Sequence, residues 1–199
     1  NLMKLRNAKY TDAEYSSISD AVDHMGDIPL FIDDSSGVSL VQLKAIIRKL
    51  VNKYGCKLIL VDQLNHINHS EKNRSRNDEV GTITRTLKAE AKELDIPIIL
   101  FHQLNREVES RGGDKKPQLS DLRDSGNVEQ DADIVIFLHR PEYYKPNNPE
   151  LVGLAEVIFS KHRNGVVGSV PLGYRKEFTM FHNISEMEKY EIKSSPTAA

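Results

Sequence analysis

Asp62 closes a run of four apolar residues, Leu58-Ile-Leu-Val61. A carboxylate at the end of such a strand is the pattern that holds, through water, the magnesium ion of a bound nucleotide. Many α/β proteins end a strand in Asp with no ligand, so a plain capping role competes with that reading. Gln103 stands in the same position after Ile98-Ile-Leu-Phe101 and His102. Its neutral amide both donates and accepts, which suits orienting a water or sensing a phosphate; capping of the strand end is again the alternative. Lys161 and Arg163 flank His162 just after an apolar run and just before an Asn164-Gly165 turn. Two cations on a hairpin can reach a phosphate, or simply remain solvated. In residues 118–133, Ser125, Gly126 and Asn127 put several backbone N–H groups close to Arg123, a plausible anion cradle. Lys72, Arg74 and Arg76, continued by Arg85 and Lys88, form a local basic stretch that fits nucleic-acid backbone contact, although charged loops are generic.

The elements that must carry these residues follow from hydrophobic spacing. Residues 11–25 read as a short helix opened by a Thr11/Glu14 capping box, with a stripe of Ile18, Ala21, Val22 and Met25. Pro29-Leu-Phe-Ile-Asp33 reads as a short strand. Ser39 opens an amphipathic helix whose stripe is Leu43, Ile46, Ile47, Leu50, Val51 and Tyr54, stopped by Gly55. Residues 57–61 and 97–101 read as interior strands covered on both faces, with a helix over 78–94 between them. Strand–helix–strand with short joins predicts an α/β fold and right-handed crossovers. Residues 133–139 predict a third buried strand; 154–160, 165–174 and 178–184 predict strands joined by tight turns, hence an antiparallel C-terminal end. Ligands in such folds bind beyond the carboxyl ends of the parallel strands, where Asp62 and Gln103 lie.

Composition narrows the classes. The chain has 199 residues, 27 Lys and Arg against 29 Asp and Glu, and a formal charge of -2, so a global basic coat is excluded as the means of holding nucleic acid. Cys56 is the single cysteine, which excludes an intrachain disulfide framework and predicts a buried thiol. No run approaches a membrane span, Asn1–Arg6 lacks the apolar run of a signal peptide, and the cytoplasm is the expected compartment. The histidines are not spaced for structural zinc, and no Gly-x-Ser-x-Gly elbow occurs.

Taken in order, these segments carry a resemblance. They are Asp33-Asp34 before Gly37, Leu58-Ile-Leu-Val-Asp62-Gln-Leu-Asn-His-Ile67, Thr84-Arg-Thr-Leu-Lys88-Ala-Glu-Ala-Lys-Glu93, Pro97-Ile-Ile-Leu-Phe-His-Gln103, Leu119-Ser-Asp-Leu-Arg123-Asp-Ser-Gly126-Asn-Val-Glu-Gln-Asp-Ala-Asp133 and Lys161-His-Arg163-Asn-Gly165. From about residue 11 to about residue 183 the chain resembles the C-terminal, RecA-like motor domain of DnaB-type replicative helicases. The resemblance implies a RecA-like P-loop NTPase core, a mostly parallel central sheet flanked by helices with antiparallel strands at the C-terminal end, over residues 1–185, and a flexible tail over 186–199. It implies ATP and Mg2+ as cofactors, single-stranded DNA as partner, a homo-hexameric ring, and primase and a helicase loader as further partners. Asp62 matches the Walker B aspartate and Gln103 the phosphate-sensing glutamine. Lys161 and Arg163 match cations inserted into a neighbouring subunit's site, Arg163 as the arginine finger. Arg123, Asp124 and Gly126 match the loop that touches the DNA backbone.

One departure shapes the expectation. The family's motor domain opens on a Gly-rich P-loop ending in Gly-Lys-Ser/Thr, and these 199 residues contain no Gly-Lys pair. The family's catalytic glutamate and N-terminal collar also have no counterpart. The expectation is a piece of a longer helicase, truncated at its N-terminus and inactive by itself, with an exposed sheet edge that favours association. The alternatives are a P-loop-less partner or regulator that binds a helicase ring, a recombinase-like or circadian-type RecA relative, and an α/β domain of other role. RecA relatives of those types do not usually carry the Asp121–Gly126 run beside Glu129–Asp133.

Overall fold

A computed structural model describes residues 1–68, 75–105, 107–113, 115–125 and 128–184. They form two units interleaved along the chain. The first comprises Asn1–Val22, Glu109–Pro117 and the described residues from Ile134 on; the second comprises Asp23–Val108 and Gln118–Asp133. The predicted tail, Arg74 and Gly126 lie outside the described residues.

The second unit is a parallel strand pair backed by two helices. Helix α3 (Leu40–Tyr54) starts where Ser39 makes a full capping box: its hydroxyl accepts from the Gln42 N–H, and the Gln42 side chain accepts from the Ser39 N–H at 2.9 Å. It stops at Gly55, whose φ of 71° lets its N–H turn back onto Leu50 and Val51. Strand β1 (Ile59–Val61) pairs in parallel with β2 (Ile98–Leu100), Leu60 opposite Ile99. The crossover is α4 (Arg76–Leu94), capped by Ser75, which buries Val80, Ile83, Thr84, Leu87 and Glu90. Ile47 from α3, Ile59 and Val61 from β1, and Ile83 and Leu87 from α4 make one apolar core, with Cys56 half-buried at its margin. Across that helix pair Glu90, 2% exposed, accepts from Arg48 at 2.7 and 3.0 Å and meets Lys44 at 3.1 Å.

The first unit holds α1 (Leu2–Arg6), α2 (Asp12–Gly26), whose last residues enter the second unit, and an antiparallel sheet. The Thr11/Glu14 capping box forms as expected, the Glu14 carboxylate accepting from the Thr11 N–H at 2.9 Å. Strands β3 (Ile134–His139), β4 (Leu154–His162), β5 (Gly168–Arg175) and β6 (Met180–His182) lie in that order. Pro171 is tolerated because β6 pairs only with Gly173–Arg175. Short helices α5 (Glu107–Ser110), α6 (Val128–Asp131) and α7 (Pro141–Tyr144) complete the α-helices of the described residues; α6 belongs to the second unit.

Two expectations need correction, on residues 29–33 and on strand coverage. Residues 29–33 are extended but unpaired: Leu30 bonds back to Ile28, and the Asp33 carboxylate accepts from the Ser35 N–H, so local turns take the groups a ladder would have used. The expected α/β class holds, with its antiparallel C-terminal end: parallel pairing is that of β1–β2, and β3–β6 form a separate antiparallel sheet of four strands. The strands read as covered on both faces are covered on one. Leu60 is 55% and Ile99 46% exposed while Ile59 and Val61 are buried, and β3 alternates buried Val135, Phe137 and His139 with exposed Ile134, Ile136 and Leu138. A continuous apolar run marks a strand, but its coverage depends on what stands opposite each face.

Candidate functional site

The carboxyl ends of β1 and β2 are held side by side by their backbones. Phe101 donates to the Val61 carbonyl at 2.9 Å, and Leu64 donates to the Phe101 carbonyl at 2.9 Å. Leu64 is fully buried in the short 3-10 helix Leu64–His66, which pins the chain just beyond Asp62. Asn68 fixes the far side of that loop. Its N–H donates to Val38, its carbonyl accepts from Leu40, and its side chain donates to Gly37 at 2.9 Å. Asp62 and Gln103, both exposed, are thereby presented from adjacent parallel strands of one unit. The Asp62–Gln63 peptide is cis, and Gln63 and His66 lie 3.3 Å apart through their side-chain nitrogens.

His102 stands between the strand and Gln103 and is half-buried. Burial, and secondarily the positive charge of Arg76, hold its imidazole below the usual histidine range, so it is neutral at neutral pH. Among the described residues no group of three His, Cys, Asp or Glu is placed to hold a metal. A single exposed carboxylate fits a magnesium ion carried mainly by nucleotide phosphates and water; it does not fit an all-protein cage.

Arg123 and Asp124 lie on the 3-10 helix Leu119–Ser125, in the same unit as Asp62 and Gln103. Buried Leu122 anchors that helix, and Asp121 accepts from the Gln118 N–H at 2.8 Å at its start. The segment that follows is tied to α4. Thr84 donates to Asp131 at 2.5 Å, and Lys88 pairs with Asp133. Of the basic stretch, Arg76 donates to Glu79 and to Asn65, each at 3.1 Å. Lys88 is engaged as well, so these two cations of the stretch are both paired. Sequence reading missed Asn65, Thr84 and Asp131. The available signal was Thr84, a polar residue set on the apolar stripe of α4.

Lys161 and Arg163 belong to the other unit. Lys161 is paired with Val135 near the end of β4, and Arg163 is the first residue past that strand. The connection to β5 spans residues 163–167 rather than a two-residue Asn-Gly turn, because β5 begins at Gly168. At Gly165 a Cβ would stand 2.3 Å from the His162 ring, so a side chain there would need that ring to turn aside. Val166 and Val167 are exposed on the same connection.

Comparison with known proteins gives a consistent result. The sequence profile described as DnaB-like helicase C terminal domain matches residues 1–183. The replicative DNA helicase DnaB of Geobacillus stearothermophilus is 39% identical over 185 residues, covering 92% of this chain and 40% of the relative. The replicative DNA helicase DnaC of Bacillus subtilis gives the same figures. The replicative DNA helicase DnaB of Mycobacterium leprae is 39% identical over 184 residues, 30% of its length. Among solved structures, one ATPase domain matches with a TM-score of 0.86 and 35% identity over 93% of this chain and 66% of that one. A DnaB-like replicative helicase, described with its interactions with primase, matches with the same score and identity over 93% of this chain and 45% of the other. The chain thus spans well under half the length of these curated relatives.

Proposed function

The chain belongs to the DnaB-like helicase C-terminal domain family, and from that premise we propose that it is the larger part of the motor domain of a hexameric replicative helicase, which unwinds duplex DNA by ATP-driven movement along single-stranded DNA. The observation that carries this reading is the joint presentation of Asp62 and Gln103 beyond two adjacent parallel strands, locked by the Phe101–Val61 and Leu64–Phe101 hydrogen bonds. Bound magnesium would neutralise charge on the nucleotide phosphates. The Asp62 carboxylate would accept hydrogen bonds from waters around that ion. The Gln103 amide would report the terminal phosphate, donating to it when present and losing that partner after hydrolysis. Lys161 and Arg163 would serve the site of a neighbouring copy, where Arg163 would donate to the transferring phosphoryl group.

Arg123, Asp124 and Gly126 would contact the DNA backbone, with Arg74 and Arg76 as outlying cations. Arg106, Arg111, Lys115, Lys116 and Arg123 are offset in sequence by Glu107, Glu109, Asp114, Asp121 and Asp124, so affinity would come from many copies around one strand. Primase and loader contacts and a cytoplasmic location belong to the same reading. Among the described residues no helix is long and apolar enough to cross a membrane.

The test uses the full-length protein. ATP turnover with and without single-stranded DNA is measured for wild type, Asp62→Asn and Arg163→Ala. Each variant should lose at least about a hundredfold in turnover. Mixing the two variants should restore part of the activity, because a wild-type Asp62 then meets a neighbour's wild-type Arg163. Full activity in Asp62→Asn would overturn the reading. The 199-residue polypeptide by itself, which has no Gly-Lys pair, is expected to turn over ATP at background. Binding of that polypeptide to an intact helicase ring would favour the alternative of a non-catalytic partner.

A further inference from the structure

Helix α4 touches both chemistry-bearing segments of its unit. In its first turn Arg76 donates to Asn65, three residues beyond Asp62, at 3.1 Å. Farther along, Thr84 and Lys88 hold the segment that follows the Arg123 helix, through Asp131 and Asp133. The attachments lie about 12 to 18 Å apart along one continuous helix. Thr84 is 6% exposed and sits among Val80, Ile83 and Leu87. Its hydroxyl already reaches the Gly81 carbonyl at 3.3 Å. The hydroxyl has one hydrogen, and the shorter contact, to the Asp131 carboxylate, takes it in preference to the Gly81 carbonyl, so the buried donor is spent on a charge-assisted bond that ties another segment down. Asp131 closes α6, and both α6 and the Leu119–Ser125 helix pack against α4.

We propose that Thr84 and Lys88 are positioning residues that set the DNA-contacting segment on α4, so that the Asp62 loop and the Arg123 helix shift as one body. The inference rests on the reading of Arg123 as a DNA contact and adds the link by which DNA occupancy reaches the nucleotide site. A rigid element biased from both ends is the physical requirement for such coupling.

The test compares wild type, Thr84→Val, Lys88→Met and the conservative Thr84→Ser in the full-length protein. Three quantities are read: ATP turnover without DNA, the oligo-dT concentration giving half-maximal stimulation, and the melting temperature. Thr84→Val keeps the shape and removes the donor; Lys88→Met keeps the stem and removes the charge. Both should raise the half-stimulating oligo-dT concentration at least about threefold, and Thr84→Val, at a buried residue outside the basic stretch, should leave turnover without DNA near wild type. Thr84→Ser should behave as wild type. Anisotropy of labelled oligo-dT should show the same order of affinities. An unchanged half-stimulation point in both variants would overturn the proposal. So would basal and stimulated rates that fall together in proportion to melting temperature, since that marks a folding role alone. A wild type that oligo-dT does not stimulate at all would instead remove the DNA-contact reading itself, and the inference with it.

Discussion

At the residue scale, two side chains with similar chemistry have different jobs. Asp62 is exposed at a strand end; Glu90 is buried between α3 and α4 and held by Arg48 and Lys44. The Arg48 hydrogen bond, and then Lys44, hold the Glu90 carboxyl below its ordinary value of 4.5. A carboxylate whose folded value is depressed stabilises the fold above its unfolded value and loses that contribution as pH falls through the folded one. Glu90→Gln should therefore cost about 1–3 kcal/mol at neutral pH by urea unfolding, given that the partner cations are part-exposed. The gap from wild type should narrow as pH drops below 4.5; a gap independent of pH would show that packing, not charge, matters at this position. Arg123→Ala is expected to weaken oligo-dT binding without regard to sequence and to lower the salt dependence by about one unit of slope per subunit contact, as for any phosphate contact.

At the element scale, α3 is specified by its ends. Ser39 and Gln42 satisfy each other's backbones, and Gly55 adopts the left-handed conformation that a side chain resists. Ser39→Ala should destabilise the fold by about 1 kcal/mol in thermal or urea unfolding. These caps and the stripes of α3 and α4 were legible in the sequence because they are local. The helix over 11–25 shows the limit of that logic. Its capping box forms at Thr11 and Glu14, yet Val22 and Met25 stay exposed. Periodicity reports which face is apolar, not whether anything covers it. Residues 29–33 make the same point for strands, since an apolar run becomes a strand only where a partner edge accepts its hydrogen bonds.

At the scale of the whole molecule, each unit leaves an apolar sheet face in solvent: Leu60, Ile99 and Phe101 in one, Ile134, Ile136 and Leu138 in the other. Contiguous apolar surface of this kind drives association. The isolated 199-residue chain should therefore bind an apolar dye and show a sedimentation mass that rises with concentration. Leu138→Lys should reduce both, and a monomer at all concentrations with no dye binding would contradict the expectation.

The sequence by itself determined the family, through the order of Asp62, Gln103, the Arg123 run and the Lys161/Arg163 hairpin, and it determined the helices whose caps and stripes are local. Tertiary structure alone decided the rest. That β1 and β2 share one ladder while β3–β6 form another depends on which backbone edges meet. That Asn65 holds Arg76 and Thr84 reaches Asp131 depends on α4 lying across residues 11 and 47 positions away in sequence. Such contacts join residues with no local signature in common, because hydrogen bonds and packing act through space while propensity acts along the chain.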